Sequence, residues 1–142
     1  MTSTPRTSIR PLLPLIFIGG ALGTVLRDEL ERIGSSSGAF PIGIFIANCV
    51  GSLLLGYVVG FISAKEVTSP ARLRALIGTG FCGGLTTFST LCAGTVSLAQ
   101  SDHVPTALLY LATTAIAGLV AAGSGYLVPT FRTNHRRSST QS

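Results

Sequence analysis

The sequence has 142 residues, of which 46% are hydrophobic and 11% charged, against about 25% charged in an ordinary soluble domain. The length fits one domain, and the composition excludes a water-soluble globule. The net charge of +5 raises nucleic acid as a partner, but the basic residues stand beside the ends of apolar runs and not along one helix face. That excludes nucleic acid and fits a lipid bilayer.

Residues 1–10 are rich in Ser and Thr and read as a mobile tail, because they carry too few apolar groups to offset the entropy of ordering. Charge-free runs then cover 11–26, 33–64, 75–101 and 103–131. A charge at mid-bilayer costs about 2.5–3.5 kcal/mol, and a span needs about 20 apolar residues. The runs therefore read as four spanning helices over about 12–33, 40–63, 73–98 and 104–128, in one transmembrane domain over 11–131, with a mobile basic tail at 132–142. The first run is short and spans if Arg27 and Arg32 snorkel to the headgroups. Arg10 before an apolar stretch that ends in Gly19, Gly20 and Ala21 leaves a signal peptide as the alternative there.

The links Gly34-Ser35-Ser36-Ser37-Gly38, 65–72 and Ser101-Asp102-His103 are short, so consecutive helices are antiparallel neighbours and both termini share one side. Eight Lys/Arg fall on that side: Arg6, Arg10, Lys65, Arg72, Arg74, Arg132, Arg136 and Arg137. Only Arg27 and Arg32 fall on the other, so the positive-inside rule places the termini in the cytoplasm of a multi-pass cell-membrane protein.

In the second span Asn48, Ser52, Gly56 and Gly60 recur every four residues on one face. Such a stripe is either a close-packing seam or a polar functional face, and an intramembrane amide needs a partner in both cases. The third span crowds poor helix formers into 78–90. It is either a continuous, tightly packed glycine-rich helix or a helix broken mid-membrane, whose freed carbonyl and N–H groups become ion ligands. Cys49, Cys82 and Cys92 lie in apolar runs without metal-site spacing and read as small packing residues.

No enzyme constellation is present. His103 and His135 lie in a loop and a tail, and every acid lies outside the central parts of the spans. The same absence argues against a proton-coupled or multidrug exporter. The spans offer neutral donors, Asn48, Ser52, Thr86, Thr87, Ser89, Thr90, Tyr110, Thr113 and Thr114, which can hydrogen-bond an anion without trapping it by full charge.

At Gly80-Phe81-Cys82-Gly83-Gly84-Leu85-Thr86-Thr87-Phe88-Ser89-Thr90 the chain resembles the Fluc/CrcB family of fluoride channels. Gly19-Gly20-Ala21-Leu22-Gly23-Thr24-Val25-Leu26-Arg27, Pro41-Ile42-Gly43 and Asn48-Cys49-Val50-Gly51-Ser52 are similar to the family's motifs in the first two spans. The resemblance implies an all-α membrane protein whose broken third helix sits in an antiparallel dual-topology dimer passing fluoride passively. It implies a structural sodium ion on the main-chain carbonyls of Gly83 and Thr86. It implies a fluoride pore lined by Asn48, Phe88, Ser89, Thr90, Tyr110 and Thr114, with Arg27 at a vestibule. Leu91 departs from the pattern, standing where the family usually has a second phenylalanine, and Asp28, Ile44 and Gly118 also depart from it. A homodimer would lack one ring in each pore. With the eight-to-two Lys/Arg bias, this suggests pairing with an oppositely inserted homologous subunit instead of with itself. A non-conducting membrane scaffold and a small four-helix exporter are the alternatives.

Overall fold

A computed structural model describes residues 9–34, 40–64 and 67–138, with side chains described through 131. A 3-10 turn at Arg10–Leu12, with Pro11 at its start, leads into helix α1 (Leu13–Gly34). Helix α2 covers Ile42–Ala64. The third span opens with Pro70 after Ser69, where a missing N–H costs nothing. Its first part, α3 (70–85), joins Pro70–Leu73, a wide i→i+5 stretch Arg74–Cys82 and a last turn Gly83–Leu85. Helix α4 covers Phe88–Gln100 and α5 covers Val104–Ser138.

Four segments are long and apolar enough to cross a membrane: Arg10–Gly34, Ile42–Ala64, Pro70–Gln100 and Val104–Phe131. The molecule is thus all-helical with four candidate spans, the number read from the charge-free runs. Of the tails expected at 1–10 and 132–142, residues 1–8 and 139–142 lie outside the described residues, whereas 132–138 are not a loose tail but the last turns of α5. Helix α5 runs on past the boundary expected near 128, through Pro129 to Ser138. At 1.5 Å per residue it is about 50 Å long, more than the roughly 30 Å of a hydrocarbon core.

Glycine sets the packing. A Cβ at Gly23 would collide with the Phe81 carbonyl and one at Gly84 with the Gly20 carbonyl, so α1 and α3 meet backbone to backbone. Gly56 and Gly60 of the expected α2 stripe meet the Ala122 and Tyr126 carbonyls of α5 in the same way. That half of the stripe is a packing seam. Between α2, α4 and α5 lies an apolar cluster of Ile44, Leu91, Leu98, Ala107 and Tyr110. Cys82 is buried, and Cys49 and Cys92 are half-buried free thiols. Large apolar side chains such as Phe17, Leu119 and Phe131 point outward, as expected where the solvent is lipid.

Candidate functional site

Helical geometry stops at Leu85 and resumes at Phe88. Thr86 (φ −82°, ψ 148°) and Thr87 (φ −148°, ψ 127°) are extended. Gly83, Gly84, Thr86 and Thr87 are all poor helix formers, which makes the helix easy to leave at this point. Thr87 then starts α4 as its N-cap, its Oγ1 accepting from the Thr90 N–H at 3.2 Å. The Thr87 hydroxyl donates to Thr90 Oγ1 at 3.1 Å and lies 3.2 Å from Ser89 Oγ.

Asn48 of α2 faces these extended residues. Its Oδ1 accepts from the Thr87 N–H at 2.8 Å and its Nδ2 donates to the Thr87 carbonyl at 3.2 Å. This two-point pairing fixes the orientation of the amide and gives it the partner that an intramembrane amide requires. One N–H of Nδ2 is left over. In an unbroken helix the Thr87 N–H would bond to the Gly83 carbonyl and the Thr90 N–H to the Thr86 carbonyl. Here the first donor goes to Asn48 and the second to the Thr87 side chain. The Gly83 and Thr86 carbonyls thereby lose their helical donors. The Cys82 carbonyl takes both the Thr86 N–H and the Thr86 hydroxyl, each at 2.9 Å.

A groove of about 460 Å³ runs beside this interruption. Asn48, Ser52, Thr86, Thr87, Phe88 and Thr114 line it together with Leu91, Leu111, Leu119 and Gly118, and among the described residues no ionisable side chain does. The Phe88 ring is 75% exposed, so its edge is open to whatever occupies the groove. Leu91, by contrast, is buried against the apolar cluster with only one side on the groove. Ser52 and Gly118 pack close together on the groove, and a Cβ at Gly118 would stand 3.4 Å from Ser52 Oγ.

The other residues nominated from sequence divide into two groups. Ser89 and Thr90 belong to the Thr87 hydroxyl cluster, and Thr114 lines the groove with its hydroxyl proton committed to the Tyr110 carbonyl at 2.7 Å. Tyr110 does not face this groove. It is fully buried, its ring edge-on to Phe40 at 5.1 Å, and its hydroxyl has no hydrogen-bond partner among the described residues. Arg27 lies on the α1 side of the interruption, where Nη1 donates to the Gly84 carbonyl at 3.2 Å and Nε stands 3.4 Å from Glu31 Oε1. Thr87 is the central residue that the pore set expected from sequence lacks. A threonine immediately before Phe88-Ser89-Thr90 is the available signal, since threonine is a preferred N-cap.

The family described as "CrcB-like protein, Camphor Resistance (CrcB)" matches residues 14–126. "Fluoride-specific ion channel FluC 2" of Bacillus subtilis (strain 168) is 45% identical over 115 residues, which cover 80% of this chain and 83% of that protein. "Fluoride-specific ion channel FluC 1" of Mycolicibacterium paratuberculosis is 41% identical over 110 residues, 77% of this chain and 83% of that one. "Fluoride-specific ion channel FluC" of Pyrococcus furiosus is 37% identical over 115 residues, 80% and 92% of the two chains. The resemblance first seen in the glycine-to-threonine stretch of the third span thus extends through the whole bundle, and the chain belongs to the CrcB-like protein family.

Proposed function

We propose that the chain is a subunit of a passive, fluoride-selective channel that lowers cytoplasmic fluoride across the cell membrane. The relatives' names support the ion, and one observation carries the reading to this chain. The Asn48–Thr87 pairing holds the third span open beside a groove lined only by neutral groups. A small, strongly hydrated anion needs hydrogen bonds to replace its water, and a full countercharge would hold it too long for conduction. The spare Asn48 N–H and the Phe88 ring edge on the groove supply such contacts. This is transport and not catalysis.

The groove is open on one side, and an antiparallel second subunit would close it. Such a partner, placed across the interruption, would bring a second pair of carbonyls toward Gly83 and Thr86, and these neutral, hard oxygens suit a structural sodium ion. A bound sodium would tie the two interruptions together without taking part in conduction. The eight-to-two Lys/Arg bias supports cytoplasmic termini. It also disfavours insertion of the same chain in both orientations. Leu91 on the groove leaves it short of an aromatic edge, so the partner is a homologous, oppositely inserted subunit that supplies one.

The decisive experiment reconstitutes the chain alone and with such a homologue in liposomes and follows fluoride efflux with an electrode. Flux from the pair and little from the chain alone is expected. Robust flux from the chain alone would remove the heterodimer. Impermeable vesicles in both cases would remove the channel and leave the scaffold. An exporter has no support in the groove, which carries no group that exchanges a proton.

A further inference from the structure

Four hydroxyls line the groove, those of Ser52, Thr86, Thr87 and Thr114, and three of them have committed their protons. Thr86 donates to the Cys82 carbonyl at 2.9 Å, Thr114 to the Tyr110 carbonyl at 2.7 Å and Thr87 to Thr90 Oγ1 at 3.1 Å. Ser52 is the exception. A serine inside a helix ordinarily donates to the carbonyl four residues earlier, yet half-buried Ser52, in the middle of α2, makes no hydrogen bond among the described residues. Its proton is therefore unpaired at a depth where water is scarce. The neighbouring helix leaves it uncovered. Helices α2 and α5 meet in steps of four residues: Gly60 against the Tyr126 carbonyl, Gly56 against the Ala122 carbonyl, then Ser52 beside Gly118. The first two steps are backbone contacts, whereas at the third a Cβ on residue 118 would stand 3.4 Å from Ser52 Oγ, and glycine has none. One step further lie Asn48 and Thr114, both on the groove. Asn48 is 9% exposed and gives Oδ1 and one Nδ2 proton to Thr87, so its second Nδ2 proton is free. Thr114 offers only lone pairs. Along this stretch α2 supplies two spare donors and α5 supplies space.

We propose that Ser52 is a further fluoride-contacting residue: its hydroxyl and the spare Asn48 N–H, one helical turn apart on α2, form a two-donor seat for a single, partly dehydrated fluoride. Side chains four residues apart on a helix have Cβ atoms about 5–6 Å apart, a spacing that lets one N–H and one O–H close on an ion lying between them. Hydrogen bonds to an anion are shorter and about twice as strong as those between neutral groups, so the two donors replace part of the hydration shell without a countercharge. The two residues differ in what else they do. Asn48 also holds Thr87, and its loss disturbs the interruption. Ser52 has no bond to the rest of the described chain, so its hydroxyl can be removed with the Asn48–Thr87 pairing left in place.

This inference rests on the fluoride-channel reading, and the test separates the two. The assembled channel, with its partner subunit where the pair is needed, is reconstituted in vesicles as wild type, Ser52→Ala and Ser52→Cys. Fluoride efflux is followed with an electrode at fluoride low enough for flux to rise in proportion to concentration, and each protein is titrated with denaturing detergent. Cysteine fills the place of serine but brings only a weak S–H donor, so it separates the donor from the space it occupies. Both variants are expected to pass fluoride about tenfold more slowly or worse, the loss of one hydrogen bond to an ion, with the detergent resistance of wild type. Wild-type flux in Ser52→Cys beside impaired flux in Ser52→Ala would make Ser52 a packing residue and overturn the proposal. Unchanged flux in both variants would overturn it as well, and so would a loss of flux matched by a loss of assembly. Wild-type vesicles without flux would sink the channel reading itself.

Discussion

Replacing Asn48 by alanine tests the feature on which the site depends. The substitution removes two hydrogen bonds to one residue, at 2.8 and 3.2 Å, and leaves the Thr87 N–H and carbonyl unpaired at a depth where water is scarce. Interhelical hydrogen bonds in membranes contribute about 0.6 kcal/mol on average and up to about 1.7 kcal/mol. Stranding a buried polar group costs about 1–3 kcal/mol. Thr87 is only half-buried, so the full penalty for stranding both of its groups does not apply, and the loss is expected at about 1–3 kcal/mol. Titration with a denaturing detergent in mixed micelles measures it, alongside fluoride efflux from vesicles. Asn48→Asp adds a charge at the same place. The carboxylate can still accept from the Thr87 N–H, but its second oxygen faces the Thr87 carbonyl in place of the Nδ2 donor, so stability should fall at least as far as in Asn48→Ala and flux should vanish. An Asn48→Ala protein as resistant to detergent as wild type would refute the reasoning, because the amide would then be a pore donor with no hold on the backbone.

Three further substitutions and one ion exchange probe the rest of the geometry. Gly23→Ala forces a Cβ into the Phe81 carbonyl, and the overpacking should cost about 1–3 kcal/mol in the same titration. Gly123→Ala meets nothing within 4 Å and should be neutral or stabilising by up to about 1 kcal/mol. Leu91→Phe adds a ring edge to the groove from a side chain now packed among Ile44, Leu98 and Tyr110. It should raise efflux through the chain tested alone while lowering stability by about 1–3 kcal/mol, and flux that stays at background would show that the missing ring is not what limits it. Exchange of sodium for a large organic cation should lower the melting temperature of the assembled protein; an unchanged melt at every sodium concentration would speak against the ion.

Three of the four spans are legible in the sequence because a charge at mid-bilayer is so costly that its absence over 33–64, 75–101 and 103–131 marks those stretches as candidate spans, while the shorter run at 11–26 needs Arg27 and Arg32 to reach the headgroups. The glycines tell less. Gly56 and Gly60 read as one stripe with Asn48 and Ser52, yet the glycines pack against α5 while Asn48 and Ser52 face the groove. Spacing places residues on a face, but the tilt of the neighbouring helix decides where along that face contact ends. The partner of Asn48 is not legible, since a bond spanning 39 positions depends on how α2 and the third span lie together. Tyr110 shares a helical face with Thr114 in sequence, but its longer side chain reaches toward Phe40 and Gly94 and leaves the groove to Thr114.

Counting hydroxyls in a span overstates its capacity to bind an anion, and the reason is local chemistry. Ser63, Thr86, Thr95, Thr113, Thr114 and Thr130 each donate to the carbonyl four residues earlier. This is the usual fate of Ser and Thr inside a helix, and a hydroxyl so committed offers an anion only lone pairs. The interruption changes that at Thr87, though not at Thr86, which still donates to the Cys82 carbonyl. At the start of a helix there is no preceding turn of carbonyls to accept, so Thr87 turns its hydroxyl toward Ser89 and Thr90. Thr90 Oγ1 accepts from Thr87, and among the described residues its own proton makes no bond to the backbone. Donors able to replace water around a halide therefore collect where the helix is broken and an amide from a second helix holds the break open. Closing the interruption, for example by Thr87→Ala with Asn48→Leu, should thus abolish conduction even though the remaining helical hydroxyls of the spans stay in place, and flux that survives in a correctly assembled double variant would locate the pathway elsewhere.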